Sequence, residues 1–266
     1  MDLELRGKAA IVTGGSRGIG KAVARELARE GAAVAIVARD RDALEATAAE
    51  LRQETGATIL AISCDTGDDA QVRAMVGRAV EGLGGVDILV NCAAQPGGQA
   101  PPPKLAEIDD GAFWPDMNVK VMGYLRCIRE VAPHMARRGG GRIVNVSGLA
   151  ARNTGSTVGS MRNVAVAAMT KTLAEELGPQ GISVIVLHPA TTRTEKTPGV
   201  IRARAEAQGI SEEEVERRMS QVNVLKRMID AREVAYVITF LCSAKAIAIN
   251  GDAIAAGGGS PGSIHY

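Results

Sequence analysis

A glycine-rich segment near the start of the chain has the spacing of a phosphate-binding turn. Residues 13–20 read T-G-G-S-R-G-I-G and lie between an apolar, β-rich run and a helical pattern. Glycine lets the backbone approach a pyrophosphate closely, and the helix N-terminus offers unpaired N–H groups and a positive dipole. The segment could be only a tight turn, but its place after a first strand favours phosphate binding. The residues expected at the phosphates are Gly14, Ser16, Arg17, Gly18, Ile19 and Gly20.

The elements that must position this segment alternate along the chain. Apolar runs typical of strands occur at 8–13, 33–38, 57–63, 86–91, 142–147, 182–187 and 252–256. Helical patterns occur at 18–30, 41–55, 68–82, 105–138, 157–177 and 231–243, with a break expected near Pro115 because proline cannot continue the hydrogen-bond ladder. This alternation, with right-handed crossovers, predicts an α/β fold: a doubly wound parallel sheet of about seven strands.

The chain predicts one domain rather than two. Neither a linker nor a fixed-period repeat divides the 266 residues, so we expect a single dinucleotide-binding domain over 1–266. Residues 194–228 interrupt the strand–helix alternation and indicate an insertion over the site. Within this insertion we expect a helix at 211–221 that is capped by Ser211. Four arginines of this insertion could favour anionic substrates, although an exposed amphipathic helix also explains them. They are Arg202, Arg204, Arg217 and Arg218.

Composition excludes several function classes. Lys and Arg number 31 against 30 Asp and Glu, so no strong field favours nucleic acid. No apolar stretch reaches about 18 residues and the start does not resemble a signal peptide, so we expect no membrane association. The four cysteines and three histidines are scattered, which predicts no metal site and a reducing, cytoplasmic location. Aromatic residues make up 2% of the chain, so aliphatic side chains must fill the core.

Further segments, in order, resemble the classical short-chain dehydrogenase/reductase family over nearly the full chain. They are T-G-G-S-R-G-I-G at 13–20, C-D-T at 64–66, N-C-A-A at 91–94, M-N-V at 117–119, G-R-I-V-N-V-S at 141–147, H-P-A-T-T-R-T at 188–194 and N-G-D-A-I near 250. The N-C-A-A segment departs from the family's N-N-A-G. The resemblance implies a Rossmann-type sheet, a nicotinamide cofactor, a small-molecule substrate and a homodimer or homotetramer.

The resemblance also implies where the cofactor lies. Asp65, followed by Thr66, would contact the adenine, and Asn91 would support the adenosine pocket. Thr194 would hold the carboxamide of the nicotinamide, and Pro189 would also contact the cofactor.

The end of the second strand indicates which nicotinamide cofactor is used. An acidic residue there would bind the ribose of NAD, but this chain has Ala38 followed by Arg39. Arg17 is a second cation nearby, and arginine pairs well with phosphate. We therefore expect NADP(H) rather than NAD(H), unless both arginines are ordinary surface residues or Asp40 alters the charge balance.

The acid/base pair that the resemblance implies is missing. The family carries a Y-x-x-x-K motif on one helix face, with tyrosine as the proton donor and lysine lowering its pKa. Alignment on M-T-K-T-L-A at 169–174 places Gly159 at the tyrosine and Asn163 at the lysine. The tyrosines of the chain lie at 124, 236 and 266, so no other spacing supplies one. Asn163 could still bond ribose hydroxyls, and Asn118 matches the family's catalytic asparagine.

Replacement groups can be considered one by one. The family's serine falls at Ser147 or Gly148, and we favour Ser147 as a hydroxyl over the substrate. Arg162 could bind a substrate anion, but we favour a solvated or interface arginine. His188 could act as acid or base, but we favour a packing role. The remaining aromatic candidates are Tyr124 (core or subunit interface), Tyr236 (core), and the tail pair His265 and Tyr266, which could reach a neighbouring subunit.

Three functions remain open. The first is an NADP(H)-dependent oxidoreductase acting on a small carbonyl or hydroxyl substrate with a non-standard acid/base site. The second is a catalytically silent nucleotide-binding relative that serves as a sensor or scaffold. The third is a non-redox lyase or isomerase that reuses the pocket.

Overall fold

The strands form one large sheet and one small one in the computed structural model, which describes residues 1–95 and 102–261. The strands are β1 (Ala9–Thr13), β2 (Ala33–Ala38), β3 (Ile59–Ser63), β4 (Ile88–Asn91), β5 (Gly141–Val146), β6 (Ile182–Pro189), β7 (Thr192–Arg193), β8 (Ile229–Asp230) and β9 (Ala253–Ala256). The seven-stranded sheet has the order β3-β2-β1-β4-β5-β6-β9, and every pair in it is parallel. The predicted doubly wound sheet is confirmed.

Helices cover both faces of this sheet. They are α1 (Gly18–Arg29), α2 (Arg41–Thr55), α3 (Asp69–Leu83), α4 (Asp110–Met117), α5 (Gly123–Arg137), α6 (Thr157–Leu177), α7 (Thr197–Gln208), α8 (Glu212–Ser220) and α9 (Ala231–Leu241). One core layer joins α1, α2 and α9 to the sheet, and a second joins α3, α5 and α6 to its other face. Both layers are mostly aliphatic, as the low aromatic content requires.

The direction of winding reverses between β1 and β4. Thr13, the last residue of β1, pairs with Val37 on one side and with Asn91 on the other. The Thr13 hydroxyl accepts hydrogen bonds from the backbone N–H groups of Cys92 and Ala93, each at 3.1 Å. Ligands of open α/β sheets bind at such a switch point, outside the carboxyl ends of the strands.

The prediction of a helix break near Pro115 is wrong. Helix α4 includes Pro115 and runs to Met117. The irregularity follows it, in a wide π-helical turn over Asn118–Met122, and α5 continues from Gly123. Proline removes one backbone donor but leaves the φ of a helix available, so it did not end α4 here.

The insertion predicted over 194–228 contains more structure than the sequence showed. Helix α7 was not predicted, whereas α8 matches the expected helix and the Ser211 hydroxyl accepts a hydrogen bond from the Glu214 N–H at 3.2 Å. The two helices pack on a small core of their own, and β7 pairs with β8 across the ends of the segment. Four of its arginines form ion pairs: Arg202 with Glu212, Arg217 and Arg218 with Glu214, and Arg227 with Glu233.

Three further properties concern the described residues only. None of their helices is long and apolar enough to cross a lipid bilayer. No three of their His, Cys, Asp and Glu side chains come together as metal ligands. The cysteines are unpaired, with Cys64, Cys127 and Cys242 buried and Cys92 half-buried.

Candidate active site

A cavity of about 1000 Å³ lies at the carboxyl ends of the central strands. It extends from Arg39, after β2, across the glycine loop to Asn163 on α6 and to the start of the insertion. Most of the residues that we predicted for the cofactor line it. They are Gly14, Ser16, Arg17, Gly18, Ile19, Gly20, Arg39, Asp65, Thr66, Asn163, Pro189 and Thr194.

The glycine loop forms a tight cradle that larger residues would fill. Gly14 has a φ of +67°, and a Cβ there would lie 2.9 Å from the carbonyl oxygen of Cys92. A Cβ at Gly20 would lie 2.3 Å from the carbonyl oxygen of Gly14. Helix α1 begins at Gly18, so its free N–H groups face this cradle. The loop therefore fits a bound pyrophosphate.

A carboxylate from the insertion lies at this anion site. Glu195 Oε1 accepts a hydrogen bond from the backbone N–H of Gly18 at 2.8 Å. Glu195 follows Thr194, and both residues line the cavity. The N–H group that a phosphate oxygen would use is thus bound by a side chain of the protein itself.

Two arginines lie at the far end of the cavity. Arg17 and Arg39 are exposed and line it, and within the described ranges neither side chain forms an ion pair. Asp40 is occupied elsewhere, since its side chain caps α2 by accepting a hydrogen bond from the Ala43 N–H at 3.1 Å. The end of β2 therefore presents a cation and suits a phosphate better than a bare ribose.

The adenosine side of the cavity differs from the prediction at one residue. Asp65 lines the cavity and accepts a hydrogen bond from the Gly67 N–H at 2.8 Å, and Thr66 lies beside it. Asn91 does not line the cavity: it is fully buried, and its Nδ2 donates to Asn145 Oδ1 at 3.0 Å. Because β4 carries this side chain toward β5, Asn91 supports the sheet below the cavity.

The other end of the cavity lies between β5 and α6. The Ser156 hydroxyl caps α6 by accepting from the Gly159 N–H, and both Gly159 and Asn163 line the cavity. The Ser147 hydroxyl donates to the backbone carbonyl of Asn163 at 3.1 Å. Asn163 is 3% exposed, and its Oδ1 has no hydrogen-bond partner among the described residues. A buried unpaired acceptor fits a hydroxyl group of a ligand.

A sequence model described as short chain dehydrogenase matches residues 8–205. The chain belongs to this family. It is 35% identical over 253 residues to the short-chain reductase protein NovJ of Streptomyces niveus, covering 95% of this chain and 93% of that one. It is 33% identical over 260 residues to dehydrogenase/reductase SDR family member 4 of Homo sapiens, covering 97% and 88%.

A solved structure of the family supports the same assignment. L-sorbose reductase from Gluconobacter frateurii, complexed with NADPH and L-sorbose, superposes with a TM-score of 0.92 at 28% identity, covering 99% of this chain and all of that one. Actinorhodin polyketide ketoreductase with NADPH superposes with a TM-score of 0.87 at 30% identity, covering 94% and 96%.

The cavity of this family member contains a buried cation. Lys120, in the π-helical turn, lines the cavity and is 4% exposed. Its Nζ donates to the carbonyl oxygen of Ser147 at 2.9 Å. Burial, together with the charge of Arg162, lowers the pKa of Lys120 to about 7, although Asp116 and Cys92 act in the opposite direction. No tyrosine or histidine lines the cavity along the described parts of the chain.

The structure places Asn118 outside the cavity. Its Nδ2 donates to the carbonyl oxygen of Gly67 at 3.1 Å, and the residue is absent from the cavity wall. Lys120, two residues later in the same π-helical turn, lines the cavity. Matching M-N-V to the family motif located Asn118 but could not show which side chain of the turn lines the cavity.

The Arg162 side chain is largely buried rather than solvated, and it lines the cavity. Its Nη1 lies 2.6 Å from both carboxylate oxygens of Asp116, and the two side chains are 11% and 16% exposed. This ion pair joins α6 to α4 beside the cavity. It also neutralises the carboxylate that would otherwise be available to the Lys120 ammonium.

The other candidate residues lie away from the chemistry. His188 is buried and does not line the cavity. Tyr124 belongs to the core, where its hydroxyl donates to the Val146 carbonyl at 2.9 Å. The prediction that Tyr236 is a core residue is wrong: it is 48% exposed, with the Arg232 guanidinium 5.3 Å from its ring centroid. His265 and Tyr266 lie outside the described residues.

Proposed function

We propose that this protein is an NADP(H)-dependent oxidoreductase that acts on a small carbonyl or hydroxyl compound through a non-standard acid/base site. The observation that carries the proposal is one continuous cavity that joins the phosphate cradle to a buried polar pocket. The NADPH complexes of L-sorbose reductase and of the actinorhodin ketoreductase support this cofactor. When bound, the nicotinamide would supply or accept a hydride.

Different residues of the cavity would bind the different parts of the cofactor. The N–H groups at the glycine loop would bind the pyrophosphate, and Arg39 with Arg17 would bind the 2′-phosphate. Asp65 and Thr66 would border the adenine, whereas the unpaired Oδ1 of Asn163 would accept from a ribose hydroxyl. Pro189 and Thr194 would border the nicotinamide.

The substrate would occupy the end of the cavity near Ser147. We propose that Gly159 and Asn163 stand where the family's tyrosine and lysine are, since both line this end of the cavity. A tyrosine hydroxyl is then lacking above the substrate, and the charge of a lysine is lacking at position 163. The Ser147 hydroxyl is already bonded to the Asn163 carbonyl, so it retains acceptor capacity but has its proton engaged.

Cofactor titration and turnover test this proposal together. NADPH fluorescence should change on titration with the protein, and NADPH should be consumed with members of a panel of small aldehydes and ketones. The matched control is Gly20→Ala, whose Cβ would meet the Gly14 carbonyl and should abolish binding. Absence of NADPH binding by the wild-type protein would refute the proposal.

A second function is favoured by one observation, the cavity wall without tyrosine over the described residues. A nucleotide-binding relative without turnover would have the same cradle and the same arginines. It would bind NADPH with unchanged affinity whether or not a carbonyl compound is present. Binding without turnover across the panel, in both the reducing and the oxidising direction, would favour this second function.

A further inference from the structure

Lys120 is a buried lysine that the fold itself does not explain. Transfer of an ammonium group from water to a protein interior is costly unless a counter-ion balances it. The ion pairs formed by the described residues do not include Lys120, and its Nζ donates to a neutral group, the carbonyl of Ser147. A hydrophobic residue at this position would carry no desolvation penalty on burial. Lys120 also lines the cavity, so its amine lies beside the space that a ligand would fill.

Lys120 lies close to Asn163, the position on α6 where the family's lysine charge is missing. Ser147 accepts from the Lys120 ammonium through its carbonyl and donates to the Asn163 carbonyl through its hydroxyl. A Cβ at the next residue, Gly148, would lie 3.0 Å from Asn163 Nδ2. Lys120 and Asn163 therefore lie on either side of the same two residues at the end of β5. The π-helical turn delivers the amine from the helix that faces α6.

The groups around Lys120 leave its ammonium weakly compensated. Arg162 on α6 repels it, and Asp116 on α4 attracts it but is bound by that same arginine. Cys92, after β4, is the third facing group, and burial raises its pKa to about 12. The thiol is therefore neutral near pH 7. Burial and Arg162 together bring the pKa of Lys120 into the range where an amine can both give and accept a proton.

We propose that Lys120 is the catalytic acid and base of this site, a role that rests on the proposed oxidoreductase function. In reduction, bound NADPH would supply a hydride to the substrate carbonyl carbon, and the C=O π pair would move to oxygen. The oxygen takes a proton from the Lys120 ammonium, so the products are the alcohol, NADP⁺ and a neutral amine. The amine regains its proton from water. Oxidation runs the same steps in reverse and starts from the neutral amine.

Competitive acetylation tests the amine without any turnover. Acetic anhydride reacts only with neutral amines, so peptide mass spectrometry of protein labelled across a pH series gives the titration of Lys120. We expect a midpoint near pH 7 in the folded protein, against about 10.4 for the same lysine in urea. A folded-state midpoint near the unfolded value would overturn the proposal, because the amine would then be a fixed charge at neutral pH.

Three variants test the role in turnover. Lys120→Met should lower kcat/KM by about 10²- to 10⁴-fold, the usual contribution of general acid catalysis. Lys120→Arg keeps the charge but cannot release a proton, so its kcat/KM should fall by as much as that of Lys120→Met. Lys171→Met is the control, since that lysine is 64% exposed and does not line the cavity. Wild-type kcat/KM for reduction should fall above pH 7, and for oxidation it should rise.

The outcomes separate this proposal from the proposed function. Turnover by the wild type that survives in Lys120→Met or Lys120→Arg would overturn the role of Lys120 alone. A loss of NADPH affinity at unchanged kcat would also overturn it, since the lysine would then only hold the cofactor. No turnover by wild-type protein that binds NADPH would refute both. Thermal melting of each variant confirms that a loss of rate is not a loss of fold.

Discussion

A single arginine at the end of β2 decides between the two nicotinamide cofactors in the proposed function. Arg39→Asp should lower NADPH affinity about tenfold or more, since a hydrogen bond to a charged group contributes about 1.5–3 kcal/mol. NADH affinity should rise, because an acidic residue there accepts from the ribose. Fluorescence titration with both cofactors measures the ratio. Arg41→Asp is the matched control, because Arg41 lies two residues on and does not line the cavity.

Equal changes in NADPH affinity for Arg39→Asp and Arg41→Asp would contradict this assignment. Such a result would mean that only the overall charge matters.

The burial of Lys120 should also be measurable as a pH-dependent stability difference. Its folded-state pKa is lowered to about 7, so the unfolded chain binds more protons between pH 7 and its own higher pKa. The penalty for burying the charge is complete below pH 7 and is relieved as pH rises above it. Lys120→Met should therefore stabilise the protein by about 1–4 kcal/mol at pH 6, as replacement of buried ionic groups often does.

This gain should shrink by pH 9, and urea unfolding at the two pH values measures it. Lys171→Met should show no such trend. A gain that is equal at both pH values would contradict the lowered pKa.

At the scale of elements, the insertion competes with the ligand for the glycine loop. Glu195 occupies the Gly18 N–H, so its side chain must move when a phosphate binds there. Glu195→Gln should raise NADPH affinity about twofold to fivefold, since exposed charges interact by about 0–1 kcal/mol. Glu206→Gln, on the exposed side of α7, is the control. The same isothermal titration should show a smaller effect at high salt.

The π-helical turn shows why the site was harder to predict than the elements around it. Periodicity located α5 and α6 because apolar side chains recur at helical spacing. A single wide turn adds one residue without changing composition, so no pattern marked Asn118–Met122. Within this turn Asn118 donates to the Gly67 carbonyl, whereas Lys120 lines the cavity. Motif matching could identify the segment but not which of its side chains face inward.

For the molecule as a whole, cofactor binding should raise the melting temperature. A ligand at 100 times its Kd stabilises the folded state by about 2.7 kcal/mol, which corresponds to roughly 5–10 °C for a chain of this size. NADPH should reach this shift at lower concentration than NADH. Differential scanning fluorimetry in a concentration series measures both. Identical curves for the two cofactors would contradict the preference for NADP(H).

The sequence predicted the large sheet and its helices better than it predicted the insertion. Strand–helix alternation located every strand of the large sheet, because parallel strands buried on both faces are continuous apolar runs. Helix α7 was missed because its sequence, T-P-G-V-I-R-A-R-A-E-A-Q, carries proline and glycine in its first turn and only a short apolar face. Its stability comes from contacts with α8, which no local pattern shows.

The state of the cysteines makes this protein convenient to label. Burial raises the pKa of the thiols of Cys64 and Cys92 to about 11 and about 12, and it raises those of Cys127 and Cys242 as well. Thiolates are the reactive form, so all four native thiols should react slowly with maleimides at neutral pH. A cysteine introduced on the exposed face of α7 would be labelled first, and a fluorophore there would report the movement of the insertion directly.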